Sequence, residues 1–73
     1  MTLMWEARAA PGRLAELVAF VCNVADPAAQ VYHSAGPDLR VVLIDPSERG
    51  ITDVPDELVA RAPHAWRFEP VHR

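Results

Sequence analysis

Within its first twenty-five residues the chain changes hydrophobic period once and abruptly, and that change restricts the folds open to it. In "TLMWEARA" Leu3, Trp5 and Ala7 fall on one side and Met4, Glu6 and Arg8 on the other, the alternation of a strand with one wet face. The spacing changes at "APGR". Pro11 has a fixed φ and no amide hydrogen, which suits a first helical position. Beyond it Leu14, Leu17, Val18, Val21 and Val24 or Ala25 recur at helical spacing, with Arg13, Glu16 and Asn23 largely elsewhere on the wheel. The pattern predicts an amphipathic helix over residues 11 to 25, about four turns long. It stops at Asp26-Pro27, because proline disfavours helical geometry in the residue before it.

The rest of the chain continues this mixture. "AAQVYHSAGPDLRVVLID" reads as two strands around a Gly36-Pro37-Asp38 turn, with Ala29, Val31 and His33 opposite Gln30, Tyr32 and Ser34 in the first arm. In the second arm Leu39, Val41 and Leu43 oppose Arg40, Val42 and Ile44. Apolar residues on both sides from Val41 to Ile44 mark a central strand covered on both faces. "TDVPDELVARAP" carries Thr52 or Asp53 as a cap, Pro55, early acids and a terminating Pro63, and predicts a short second helix over about 55 to 62. Val54, Leu58, Val59 and Ala62 form its stripe. A last strand holds Trp66 and Phe68 on one side and Ala65, Arg67 and Glu69 on the other.

Strand, helix, strand, strand, helix, strand is the order of an α+β, ferredoxin-like βαββαβ domain, with two helices on one face of a four-stranded antiparallel sheet. The right-handed crossover rule sets the first and third strands side by side at the centre, where the doubly apolar third strand belongs. Residues 1–73 read as one such domain. A chain of 73 residues buries only about 60% of its unfolded surface and needs a supplement. Cys22 is the single cysteine, so disulfides are excluded, and one Cys with three scattered His gives no metal-ligand spacing. Oligomerisation remains. The helices cover one sheet face only, and an aromatic-rich second face predicts a homodimer, sheet against sheet.

Composition narrows the partners. With 51% hydrophobic and 23% charged residues the chain has the profile of a packed domain. All seven basic residues are Arg, alongside abundant Ala, Val and Pro, as in a GC-rich bacterial coding bias. A formal charge of −3, with arginines interleaved among acids, argues against nucleic acid. Glu6 and Arg8 break any apolar leader, and no run approaches the about 20 residues of a membrane span. The expectation is a cytoplasmic protein with no cofactor and no membrane partner.

A strand ending in "ARAAPGR", followed directly by an amphipathic helix, a hairpin and a closing aromatic strand, resembles the dimeric α/β-barrel superfamily, in particular antibiotic-biosynthesis-monooxygenase-like domains. A Pro-Gly-Arg or Pro-Gly-Lys junction between first strand and first helix is common there. The chain is shorter than typical members by most of the second helix and the loop before it. The resemblance implies an acidic aromatic or polyketide-like small molecule as substrate or ligand, with His33 as a general acid or base in an isomerase, cyclase or cofactor-free oxygenase. Read from the residues alone, His33 is equally an interface or edge-strand histidine with a bonded ring. Trp5, Tyr32, Trp66 and Phe68 either line an apolar pocket or interface or simply pack as core. Asp45, between the third strand and Pro46, either contacts a polar ligand group or bonds turn amides. Cys22 reads as a small core residue without a paired base. Two functions stand side by side: a small homodimer that acts on such a molecule, and a non-catalytic module that binds a ligand or a protein.

Overall fold

A computed structural model describes residues 1–73. Strands β1 (Thr2–Arg8), β2 (Gln30–His33), β3 (Arg40–Asp45) and β4 (His64–Phe68) form one antiparallel sheet in the order β2-β3-β1-β4, crossed on one face by the helix α1 (Leu14–Val24). The architecture is α+β, consistent with a ferredoxin-like fold in general. β1 and β3 are the central pair, in register from Leu3 opposite Asp45 to Arg8 opposite Arg40. Leu3, Trp5, Ala7 and Ala9 of β1 and its end are buried under the helix side, as are Val41 and Leu43 of β3. Leu17 and Val21 of α1 meet them at 0% exposure, and Leu58 completes the cluster.

The helix begins three residues later than its periodicity predicts. Pro11 is not its first residue: Ala10 to Arg13 form a turn closed by the Arg13 amide donating to the Ala10 carbonyl at 2.9 Å, with Gly12 at φ +74°. A proline followed by a residue with positive φ is the chemistry of a type II turn, and only glycine enters that conformation freely. Arg13 then occupies the N-cap position with no side-chain cap. Cys22, expected in the core, is exposed. It follows Val21 by one residue, about 100° around the helix, and so turns away from the sheet.

The second helix is the larger correction. Where residues 55 to 62 are expected to be helical, the chain makes a single 3-10 turn, Asp56–Leu58, with neither Thr52 nor Asp53 as its cap. The physical reason lies in β1, which is longer than its partner. β4 pairs only with Thr2 to Glu6, leaving the edge of Arg8 to Ala10 without a ladder. Residues 58 to 60 supply it: the Ala10 amide donates to the Leu58 carbonyl and the Ala60 amide to the Arg8 carbonyl, both at 2.9 Å, and Val59 bridges Ala9. Backbone groups used this way are lost to a helix, and β-branched Val59 favours the extended state. The segment therefore patches the sheet edge while Leu58 plugs the core.

The loop before it is pinned from below. Asp45 is fully buried and accepts from the Ser47 amide (2.9 Å), the Ser47 hydroxyl (2.6 Å) and the Gly50 amide (2.8 Å). Glu48, Gly50 and Asp53 have positive φ, so the chain coils tightly above the carboxylate.

Candidate functional site

Strand register decides which side chains share the uncovered face of the sheet. Residues directly opposite in antiparallel strands point the same way. One row therefore runs Gln30, Ile44, Met4, Trp66, and the next runs Tyr32, Val42, Glu6, His64, with Thr2 beside Phe68 at one end and Arg40 beside Arg8 at the other. Tyr32, Trp66 and Phe68 are 55%, 45% and 50% exposed. They stand on the two edge strands, around a centre of Met4, Val42 and Ile44. This is a larger apolar face than scattered surface residues make.

Its other end is ionic and internally balanced. Arg40 Nη1 donates to Glu6 Oε2 at 2.9 Å, Arg40 Nη2 approaches Asp38 Oδ2 at 3.5 Å, and Arg8 Nη2 donates to Asp38 Oδ1. The hydrogen bond and charge of Glu6 raise the Arg40 guanidinium above its already high ordinary value, against the opposing effect of burial and with help from Asp38. Two arginines and two acids leave the cluster with no net charge. Beside it the His64 ring stacks on Trp66, with centroids 5.7 Å apart and planes 14° from parallel. Glu6, Arg40 and His64 are polar members of this face that periodicity did not single out. The alternation already set Glu6 with Met4, but only the register brings Arg40 and His64 to it.

The singled-out residues divide between the two faces. Tyr32, Trp66 and Phe68 share the uncovered one, whereas Trp5 is 3% exposed in the core beneath the loop and helix. His33 also belongs to the helix side, in register with Val41 and Ala7. It borders a shallow cleft with Leu14, Ala15 and Val18. The ring is exposed, and its Nδ1 donates to the Ser34 carbonyl at 3.1 Å. Asp45 has both oxygens occupied by the Ser47 to Gly50 turn. Burial pushes its pKa up, but the Ser47 hydroxyl and the amides of Gly50, Ser47 and Arg49 outweigh it and hold the carboxyl below its ordinary value.

Two further depressions adjoin residues 51–54 on the helix side. One, of about 470 Å³, is lined by Phe20, Val24, Ile51 and the polar Arg49, Thr52 and Asp53. The other, of about 390 Å³, lies beside Trp5, Val54, Pro63 and His64. No three His, Cys, Asp or Glu side chains converge in a cation-holding group, and no helix is long and apolar enough to cross a membrane. Compared with known proteins, the chain matches no family model, no curated protein and no solved structure.

Proposed function

We propose that this chain is a small interaction module that pairs with a second copy of itself through the uncovered sheet face, in the manner of the dimeric α/β barrels its order of elements resembles. One observation carries the reading: Tyr32, Trp66 and Phe68 stand half-exposed on the same face as Met4, Val42 and Ile44. Burying such a face recovers roughly 25 cal/mol for each Å² removed from water. A second copy fits it for an electrostatic reason. The Glu6, Arg40, Asp38 and Arg8 cluster is neutral as a unit, so two such faces meet without net like-charge repulsion. A symmetric contact also uses one patch for both partners. The module works by contact, and no proton transfer is assigned to His33.

The test is solution mass by light scattering over a dilution series, with Trp66→Asp as the variant. The expected result is a dimer of twice 8.1 kDa that Trp66→Asp converts to a folded monomer. Trp66 is an exposed edge-strand residue, so the substitution leaves the core intact. A wild-type chain that stays monomeric at every concentration, or a Trp66→Asp chain that stays dimeric, overturns the proposal.

A further inference from the structure

We infer that pairing through the uncovered sheet face is switched by protonation of His64: a neutral imidazole lets the second copy dock, and an imidazolium drives it off. The switch rests on the pairing proposed above and adds its regulation by pH. Position, stacking and charge balance meet at this one ring.

His64 lies opposite Glu6 in the β1–β4 ladder, in the row that continues through Val42 and Tyr32, so its side chain stands on the same face as the apolar patch. Its ring is stacked on Trp66, with centroids 5.7 Å apart and planes 14° from parallel. A partner that covers the half-exposed Trp66 therefore removes water from the imidazole as well. The charges around the ring are already matched. Glu6, the carboxylate directly opposite, holds Arg40 at 2.9 Å, and Asp38 takes Arg8. Arg67, on β4 itself, is in register with Leu3 on the helix side and pairs with Glu48. Asp53 borders a depression that His64 shares with the helix-side residues Trp5 and Ala65. It lies outside the pairing face and so acts on the ring alike in the single and the paired chain.

Protonation of His64 gives the otherwise neutral cluster of Glu6, Asp38, Arg8 and Arg40 a single positive charge. Symmetry brings two such faces together, so the added charges repel. Docking also strips hydration from an imidazolium, whereas the neutral ring keeps its apolar contact with Trp66. In the separate chain the π-face of Trp66 and the Glu6 carboxylate favour the charged form in water. The separate chain therefore binds the proton more tightly than the pair does. Pairing weakens as pH falls through the range, about pH 5 to 8, in which an imidazole ordinarily gains its proton. His33 projects to the helix side, in register with Val41, and His72 lies beyond β4.

The experiment is sedimentation of the full chain over a dilution series at about pH 8 and about pH 5.5, on either side of that range, at one ionic strength. The dimer dissociation constant is expected to rise about tenfold or more at the lower pH, with far-UV circular dichroism unchanged. His64→Gln, polar and planar but without the titration, should pair at both pH values with constants within about twofold of each other. His33→Gln and His72→Gln should keep the native pH dependence. A native chain that is monomeric at both pH values removes the pairing itself and the switch with it. The other adverse outcomes leave pairing standing and overturn the switch alone: equal constants at the two pH values, a pH dependence that His64→Gln retains or that His33→Gln or His72→Gln abolishes, a His64→Gln chain that pairs at neither pH, or loss of the fold at about pH 5.5.

Discussion

The sheet is crossed by two connections, residues 9–29 and residues 46–63, and they meet the same demand differently. Both must shield the helix-side face of β1 and β3. The first does so with three turns of helix whose Leu17 and Val21 reach 0% exposure. The second uses a pinned loop, one 3-10 turn and a strip of edge ladder, with Leu58 as its only fully inserted side chain. The difference is one of competing backbone partners. After the Pro11-Gly12 turn nothing else claims the amides of residues 17 to 24, so the helix closes on itself. In the second crossing the buried Asp45 claims those of Ser47 and Gly50, and the overhanging end of β1 bonds the Leu58 carbonyl and Ala60 amide. Helical spacing needs free backbone as well as an apolar stripe.

Substitutions can break this contrast, beginning with the helix itself. Leu17→Ala removes a fully buried side chain from the one helix-to-sheet contact and should cost about 2–5 kcal/mol, read as the shift of a urea unfolding midpoint. In a domain this small that is enough to unfold much of the population. Gly50→Ala attacks the second crossing. Its φ is +66° and an added Cβ would lie 2.7 Å from Leu3 Cδ2, so a loss of about 2–4 kcal/mol is expected. Gly12→Ala, at φ +74° with nothing within 4 Å, should lose only about 1 kcal/mol in the same measurement. Equal losses at the two glycines would show that contact with Leu3 contributes nothing.

Asp45→Asn sharpens the account of the loop and adds a pH dependence. The substitution sets an amide nitrogen against donors and should cost about 1–3 kcal/mol near neutral pH. In the native chain the folded carboxyl titrates below its ordinary value of 3.8. The unfolded chain therefore binds more protons than the folded one as pH falls through that value. The stabilisation is complete above it and is lost as pH drops toward the folded pKa. Denaturant titrations at about pH 5, 4 and 3, unit steps across that window, should show a decline in the native chain that is shallower in Asp45→Asn. The smallest effect belongs to the first helix: Arg13→Asp adds the missing N-cap and a favourable charge and should stabilise by about 0.5–1 kcal/mol. That gain exceeds the few tenths of a kcal/mol lost with the exposed Arg13–Glu16 pair.

Much of the fold is legible in local pattern. Period two in β1 and helical spacing through Val21 each report a burial pattern the final structure keeps, and the central pairing of β1 with β3 follows from the order of elements. Double apolarity marks β3 as central, but only its Val41 and Leu43 side is covered within the chain, while Val42 and Ile44 stay on the uncovered face. The second helix was not legible, because its capping residues, acids and apolar stripe all fit a helix in isolation. What they lack is knowledge of β1's unpaired end, which lies about fifty positions away in sequence. The candidate site divides in the same way. Alternation sets Trp66 with Phe68 and His33 with Val31, but the separation of Trp5 from the other aromatics depends on which face the helix covers. The meeting of Glu6, Arg40 and His64 depends on register, where a slip of one residue would exchange the faces.

By itself the sequence determined the elements whose backbone is satisfied within the element or by an adjacent one, together with the apolar side of each. Only the tertiary structure decided how residues 46–63 fold, which aromatic side chains stand uncovered and which charges neutralise one another. Those outcomes depend on backbone and side-chain groups brought together from distant positions, and such partners exist only once the sheet has formed.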